Sequence, residues 1–153
     1  MYIYQAIITK EEDGFFAVFE NFEEVFAEGN TLDEVVLAAA ETLQLTLAEY
    51  IDTGLGLPEA VFNPARGDEE RMAIAVDVTE GFIERTKCLT VSEAAQRLGV
   101  SKGRVSQMLT SGALQAVPFG NERLVTIASV NNRKTNPGQP GRPRKEIREL
   151  VAV

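Results

Sequence analysis

Two kinds of hydrophobic spacing divide the first half of the chain. Residues 2–9 (Tyr-Ile-Tyr-Gln-Ala-Ile-Ile-Thr) are rich in Tyr and Ile, which predicts a strand. A polar turn follows at Glu11-Glu12-Asp13-Gly14, and Asp13-Gly14 is a hairpin signal because glycine accepts a positive φ without steric cost. Residues 15–19 then read as the returning strand and 25–28 as a third, closed by Gly29, so the opening is a three-stranded meander. At Thr31 the period changes. Leu32, Val36, Ala39, Leu43, Leu47 and Tyr50 step by three or four residues and line one face of a helix running to about Asp52. Thr31 is placed to cap it, Glu34 to complete a capping box, and Gly54 to stop it. Residues 55–68 carry Pro58 and Pro64 without periodicity and read as a loop, whereas 71–78 alternate and predict a fourth strand. The order β-β-β-α-β makes an α+β unit.

The second half has a different texture. Residues 79–87 are short and polar, with Gly81, and mark a boundary. Thr90-Val91-Ser92-Glu93 repeats the capping-box pattern ahead of a short helix with Ala94, Ala95 and Leu98 on its apolar side. Gly99-Val100 supplies a turn, and Ser101 can cap a second helix to about Thr110, with Val105, Met108 and Leu109 on one side. Beyond Gly112, residues 114–117 and 123–127 flank a turn at Phe119-Gly120-Asn121-Glu122 and read as a small hairpin or wing. Residues 131–145 hold three Pro, two Gly and five basic side chains and almost nothing apolar, so they are expected to be flexible until bound. The expected organisation is an α+β domain over 1–80, a linker over 81–87, a small, mostly α helix-turn-helix domain over 88–134, and a basic tail over 135–153.

Charge sharpens this division. The chain of 153 residues has a net charge of −8, which by itself argues against nucleic acid. Residues 1–86, however, carry 4 basic side chains against 19 acidic ones, a balance of −15, whereas residues 87–153 carry 11 against 4, a balance of +7. A polyanion-binding segment is joined to a polyanion-repelling one, which predicts different partners for the two halves. No apolar run approaches the roughly 18 residues that span a bilayer. No basic leader or signal-peptide core opens the chain, so a cytoplasmic protein without membrane contact is expected. A single cysteine, Cys88, and the absence of histidine leave no zinc site or intramolecular disulfide, and no cofactor is expected.

The candidate nucleic-acid contacts follow from the second short helix. On a wheel of about 100° per residue, Gly103, Ser106, Gln107, Thr110 and Arg104 fall away from Val105 and form an exposed face. Arg can donate two bonds to guanine, Gln can pair with adenine, and Ser or Thr can meet bases or phosphates. Lys102, at the helix start, suits a phosphate. Arg123 lies on the expected wing and joins this set. In the tail, Gly141-Arg142-Pro143-Arg144-Lys145 resembles a minor-groove AT-hook, with Arg142, Arg144 and Lys145 as its contacts; an uncommitted basic tail giving only nonspecific attraction is the alternative. The abundant carboxylates of the first half sit in turns, loops and strand edges, where they do not converge as a catalytic metal cluster must. They fit an acidic face that holds a basic protein, with Glu20, Glu23, Glu24 and Glu28 as candidates. No catalytic residue is assigned and no enzyme activity is expected.

Residues 1–78 resemble the HicB-type antitoxins of bacterial type II toxin-antitoxin systems. The resemblance is carried by the opening strand, Glu11-Glu12-Asp13-Gly14-Phe15-Phe16, Phe19, the junction Glu28-Gly29-Asn30-Thr31-Leu32-Asp33-Glu34, and the acidic, Leu-rich helix ending near Gly54. Where the family shows a Phe-Pro-Asp-Leu-Pro-Gly type of loop, this chain reads Phe19-Glu20-Asn21-Phe22-Glu23-Glu24. The second half looks like the short helix-turn-helix of excisionase and MerR-type proteins. The resemblance implies a partial RNase H-like β-β-β-α-β domain without nuclease activity that blocks a small basic, HicA-like RNA-cleaving toxin. It also implies repression of the toxin-antitoxin operon by binding operator DNA; because one helix-turn-helix of this size contacts few base pairs, a homo-oligomer, a dimer or dimer of dimers, is expected. Two other readings stand beside it: a phage or plasmid transcription regulator whose first domain senses a ligand or a protein, and an RNA-processing enzyme with a metal-carboxylate site.

Overall fold

A computed structural model describes residues 1–137 of the chain, which cluster into two compact units, the first ending at Thr86 and the second beginning at Lys87. In the first unit, β1 (Tyr2–Glu11), β2 (Gly14–Phe19), β3 (Phe26–Gly29) and β4 (Glu70–Val76) form one antiparallel sheet in the order β3-β2-β1-β4. The meander is therefore as the sequence suggests, and β4 returns to pair with the opposite side of β1. Register pairs Ala6 with both Phe19 and Met72, and Ile8 with Ala17, which puts Tyr4, Ala6, Ile8, Ala17, Phe19, Ala27, Ile74 and Val76 on one buried face.

The long helix α1 (Leu32–Thr53) covers that face. Thr31 caps it by accepting from the Glu34 amide at 3.2 Å, and the Glu34 carboxylate reaches back to the Asn30 amide at 2.8 Å. At the far end Gly54 takes a left-handed φ of 71° that lets the chain turn away. Val35, Ala39, Leu43 and Leu47 are fully buried at intervals of four, while Leu32, Val36 and Tyr50 from the expected stripe are only half-buried. The face is thus rotated toward Val35. Gly29 makes the approach possible, since a Cβ there would overlap the backbone of Glu34 and Val35.

Residues 55–69 have no regular structure, but side chains tie them to the sheet. Tyr4 donates its hydroxyl to the Pro58 carbonyl at 2.7 Å, and the Gln5 amide both donates to the Asn63 carbonyl and accepts from the Asn63 amide, at 3.0 and 2.8 Å. Phe22 closes the same end, edge-on to Tyr4, Phe19 and Tyr50 with centroids 4.8, 6.4 and 5.6 Å away.

The stretch read from the sequence as a linker is structured. Thr79 accepts from the Phe82 amide at 3.1 Å and opens α2 (Glu80–Thr86), which packs beside α1. Composition hid this helix because it is a short surface element with no buried residue, and its half-buried Phe82 and Ile83 find their packing only in the fold.

The second unit contains β5 (Cys88–Leu89), α3 (Val91–Leu98), α4 (Lys102–Thr110), β6 (Ala116–Phe119), β7 (Glu122–Thr126) and α5 (Ile127–Thr135). Its small antiparallel sheet runs β5-β7-β6. Ala94, Ala95, Val105, Met108, Leu114, Val125 and Val130 make the core. The helix α5 corrects the expectation of a flexible segment from residue 131. Thr126 caps it, Val130 is fully buried, and residues 131–135 complete its last turns. One apolar residue in register with the core suffices to dock a helix that otherwise looks like tail. Residues 138–153 lie outside those described. No helix among the described residues is long and apolar enough to cross a membrane.

Candidate nucleic-acid interface and acidic face

In the second unit, capping positions α4. Thr90 accepts from the Glu93 amide while the Glu93 carboxylate accepts from the Thr90 amide, a reciprocal box that fixes the start of α3. Gly99 ends it at φ 66°, and the Val100 amide returns to the Ala95 carbonyl at 3.0 Å. Ser101 then caps α4 by accepting from the Arg104 amide at 3.2 Å. The small side chains of Ala94 and Ala95 let Val105 and Met108 pack close, which turns the remaining surface of α4 outward.

All six residues singled out on this helix, Lys102, Gly103, Arg104, Ser106, Gln107 and Thr110, are exposed, so the structure gathers them on one helix face. Their side chains are not equivalent. The Ser106 hydroxyl donates to the Lys102 carbonyl at 3.1 Å and the Thr110 hydroxyl to the Ser106 carbonyl at 3.0 Å. With those hydrogens spent on the helix, each offers an acceptor oxygen to the outside. Arg104 donates from Nη1 to Oε1 of Gln107 at 3.1 Å, a contact that wheel reasoning missed because it treats each residue singly.

Arg123 stands exposed on β7, across from Pro118 on a hairpin whose two-residue turn begins with Gly120 at φ 58°. The structure shows Arg123 and the α4 residues in the same unit. Arg142, Arg144 and Lys145 lie outside the described residues.

The acidic candidates of the first unit separate into two groups. Glu20 is engaged internally: its carboxylate accepts from Arg71 Nη1 at 2.7 Å, while Glu69 takes Arg71 Nε at 2.8 Å. The side chain of Arg71, one of only 4 basic side chains among residues 1–86, is 5% exposed. Its hydrogen bonds hold both carboxyls below the usual carboxylate range and raise the guanidinium in turn. Glu23 and Glu24 project from the turn between β2 and β3, with Glu24 at a positive φ of 59°. Glu28, on β3, helps line a cleft of about 690 Å³ with Glu11, Glu12, Asp13, Phe15 and Phe16.

Among the described residues of the first unit, nothing covers one side of the sheet face away from α1. Register places Ile3, Ile7, Val18, Phe16 and Phe26 on it, and Phe26 is 53% exposed with its ring stacked on Phe16 at 5.6 Å. Among the described residues no group of three or more His, Cys, Asp or Glu is disposed to hold a metal ion.

Several solved structures are similar to this chain. One described as a HicA3 and HicB3 toxin-antitoxin complex is 22% identical, over 50% of this chain and 99% of that one, with a TM-score of 0.42. Another, described as an antitoxin HicB3 crystal structure, is 20% identical over 52% of this chain and 65% of that one, at 0.44. A toxin-antitoxin complex from Streptococcus pneumoniae is 18% identical over 72% and 95%, at 0.47. At these scores the likeness assigns neither a partner nor a role. No protein-family model matches the sequence, and no curated protein does.

Proposed function

We propose that this chain is a HicB-type antitoxin and autorepressor, a binding protein rather than an enzyme. In this reading residues 1–80 hold a small basic RNA-cleaving toxin and residues 88–134 bind operator DNA as a helix-turn-helix. The observation that carries the DNA half is the uninterrupted polar face of α4, where Lys102, Arg104, Ser106, Gln107 and Thr110 are exposed opposite a buried Val105 and Met108. A helix so presented fits the major groove, with its capped N-terminus and Lys102 toward phosphates and Arg104 toward a base. Arg123 on the hairpin and the tail residues Arg142, Arg144 and Lys145 add backbone or minor-groove contacts. One such helix reads few base pairs, so repression calls for a dimer or dimer of dimers on half-sites about 34 Å apart.

For the first unit, support comes from the sequence resemblance over residues 1–78, from the −15 balance of residues 1–86, and from the exposed apolar sheet face beside Glu28. Glu23, Glu24 and Glu28 are the acidic contacts we assign to the partner; Glu20 serves the Arg71 cluster.

The deciding experiment is to look beside the gene for a small, basic, histidine-containing reading frame and to co-express its product with this chain. A stable complex that suppresses RNA cleavage and binds the shared promoter is expected. Absence of a complex overturns the antitoxin reading, and a complex that ignores the promoter overturns autorepression.

A further inference from the structure

Gln107 is presented on α4 as a residue that could read a base on its own, yet its Oε1 accepts from Arg104 Nη1 at 3.1 Å. We infer that Gln107 is a positioning residue: it holds the Arg104 guanidinium so that Arg104 reads guanine, and it does not itself read adenine. The inference rests on the proposed docking of α4 in the major groove.

Three features carry it. The two residues stand three apart on the same exposed face, where side chains of a helix meet. Engaging Nη1 leaves the Nε–Nη2 edge of the guanidinium to a pair of outside acceptors, the arrangement offered by guanine O6 and N7. An adenine contact needs the Gln amide to present oxygen and nitrogen together, and here the oxygen is turned to Arg104. A neutral partner also suits the task. Glu20 and Glu69 neutralise Arg71 in the first unit, whereas the amide of Gln107 restrains Arg104 without cancelling its charge. Arg104 therefore keeps its full attraction for DNA and gives up less side-chain freedom on binding.

The test is selection of the full chain and its variants on a randomised duplex pool, followed by competition between selected duplexes that differ at one base pair. Arg104→Ala is expected to reduce one guanine preference by about ten- to a hundredfold. Gln107→Ala is expected to weaken that same preference several-fold, and the double variant to match Arg104→Ala alone, because the residues act as one unit. Gln107→Glu keeps the acceptor and so keeps the guanine preference, while its charge lowers overall affinity. All these positions are exposed, so the variants fold.

Loss of an adenine preference in Gln107→Ala with guanine untouched overturns the inference. So does a switch from adenine to cytosine in Gln107→Glu, or additive effects in the double variant. Each leaves DNA binding by α4 intact. If the unaltered chain selects no sequence at all, the proposed operator binding fails and the inference falls with it.

Discussion

The two units bury apolar surface by different means. In the first, a helix of 22 residues lies across a four-stranded sheet, and Ile8, Val35, Leu43 and Leu47 are among its fully buried side chains, flanked by the aromatic cluster around Phe22. In the second, α3 and α4 have 8 and 9 residues, and the core is built largely from Ala and Val. Helices shorter than about 12 residues are marginal on their own, so the second unit depends on caps, glycine stops and mutual docking. That economy keeps one side of α4 wholly polar. The first unit spends its surface differently, with acidic turns around an open apolar sheet face.

The largest effect should come from cutting the first core. Leu43→Ala is expected to destabilise that unit by about 2 to 5 kcal/mol, seen as an earlier urea transition, while DNA affinity of the folded chain is unchanged. A parallel loss of DNA binding would show that the units are not energetically separate. Arg104→Ala is the converse cut, expected to cost about 1 to 3 kcal/mol in specific DNA binding and to leave the urea transition and partner binding as they were; titration of labelled promoter duplex checks it. Thr90→Ala and Thr31→Ala remove the same kind of cap, at about 1 kcal/mol each. Thermal unfolding should register the first more strongly, because α3 is short and α1 is held along its length; equal shifts would argue that caps matter alike in both units.

The smallest effect concerns pH. Glu20 and Glu69 have folded pKa values depressed by Arg71, so their contribution is complete above the ordinary carboxylate pKa of about 4.3 and is lost as pH falls through the lower folded values. Arg71→Gln should flatten the acid limb of the first unit's stability while leaving its pH 7 fold intact. An unchanged limb would mean the cluster is not coupled to folding.

Much of this was legible because local signals were strong. Thr31, Gly54, Thr90, Gly99 and Ser101 mark helix ends through hydrogen bonds made within a few residues, and the structure uses each where the sequence places it. Gly120 marks the hairpin turn in the same way. Other features depended on distant residues. Val130 makes α5 a docked helix only because Val125 and Ala94 are there to meet it. Residues 80–86 read as linker because their support comes from α1. Glu20 reads from the sequence as one more surface carboxylate, and only the fold brings Arg71, 51 positions away, beside it.

What the sequence by itself determined is the pair of opposite charge balances, the order of the first five elements and the polar face of α4, since these follow from composition, periodicity and short-range capping. Only the tertiary structure decided which charges are already paired, which sheet face stays open and how Arg104 and Gln107 meet. Those depend on where side chains end up relative to one another, and periodicity along a chain carries a residue's direction but not its neighbour.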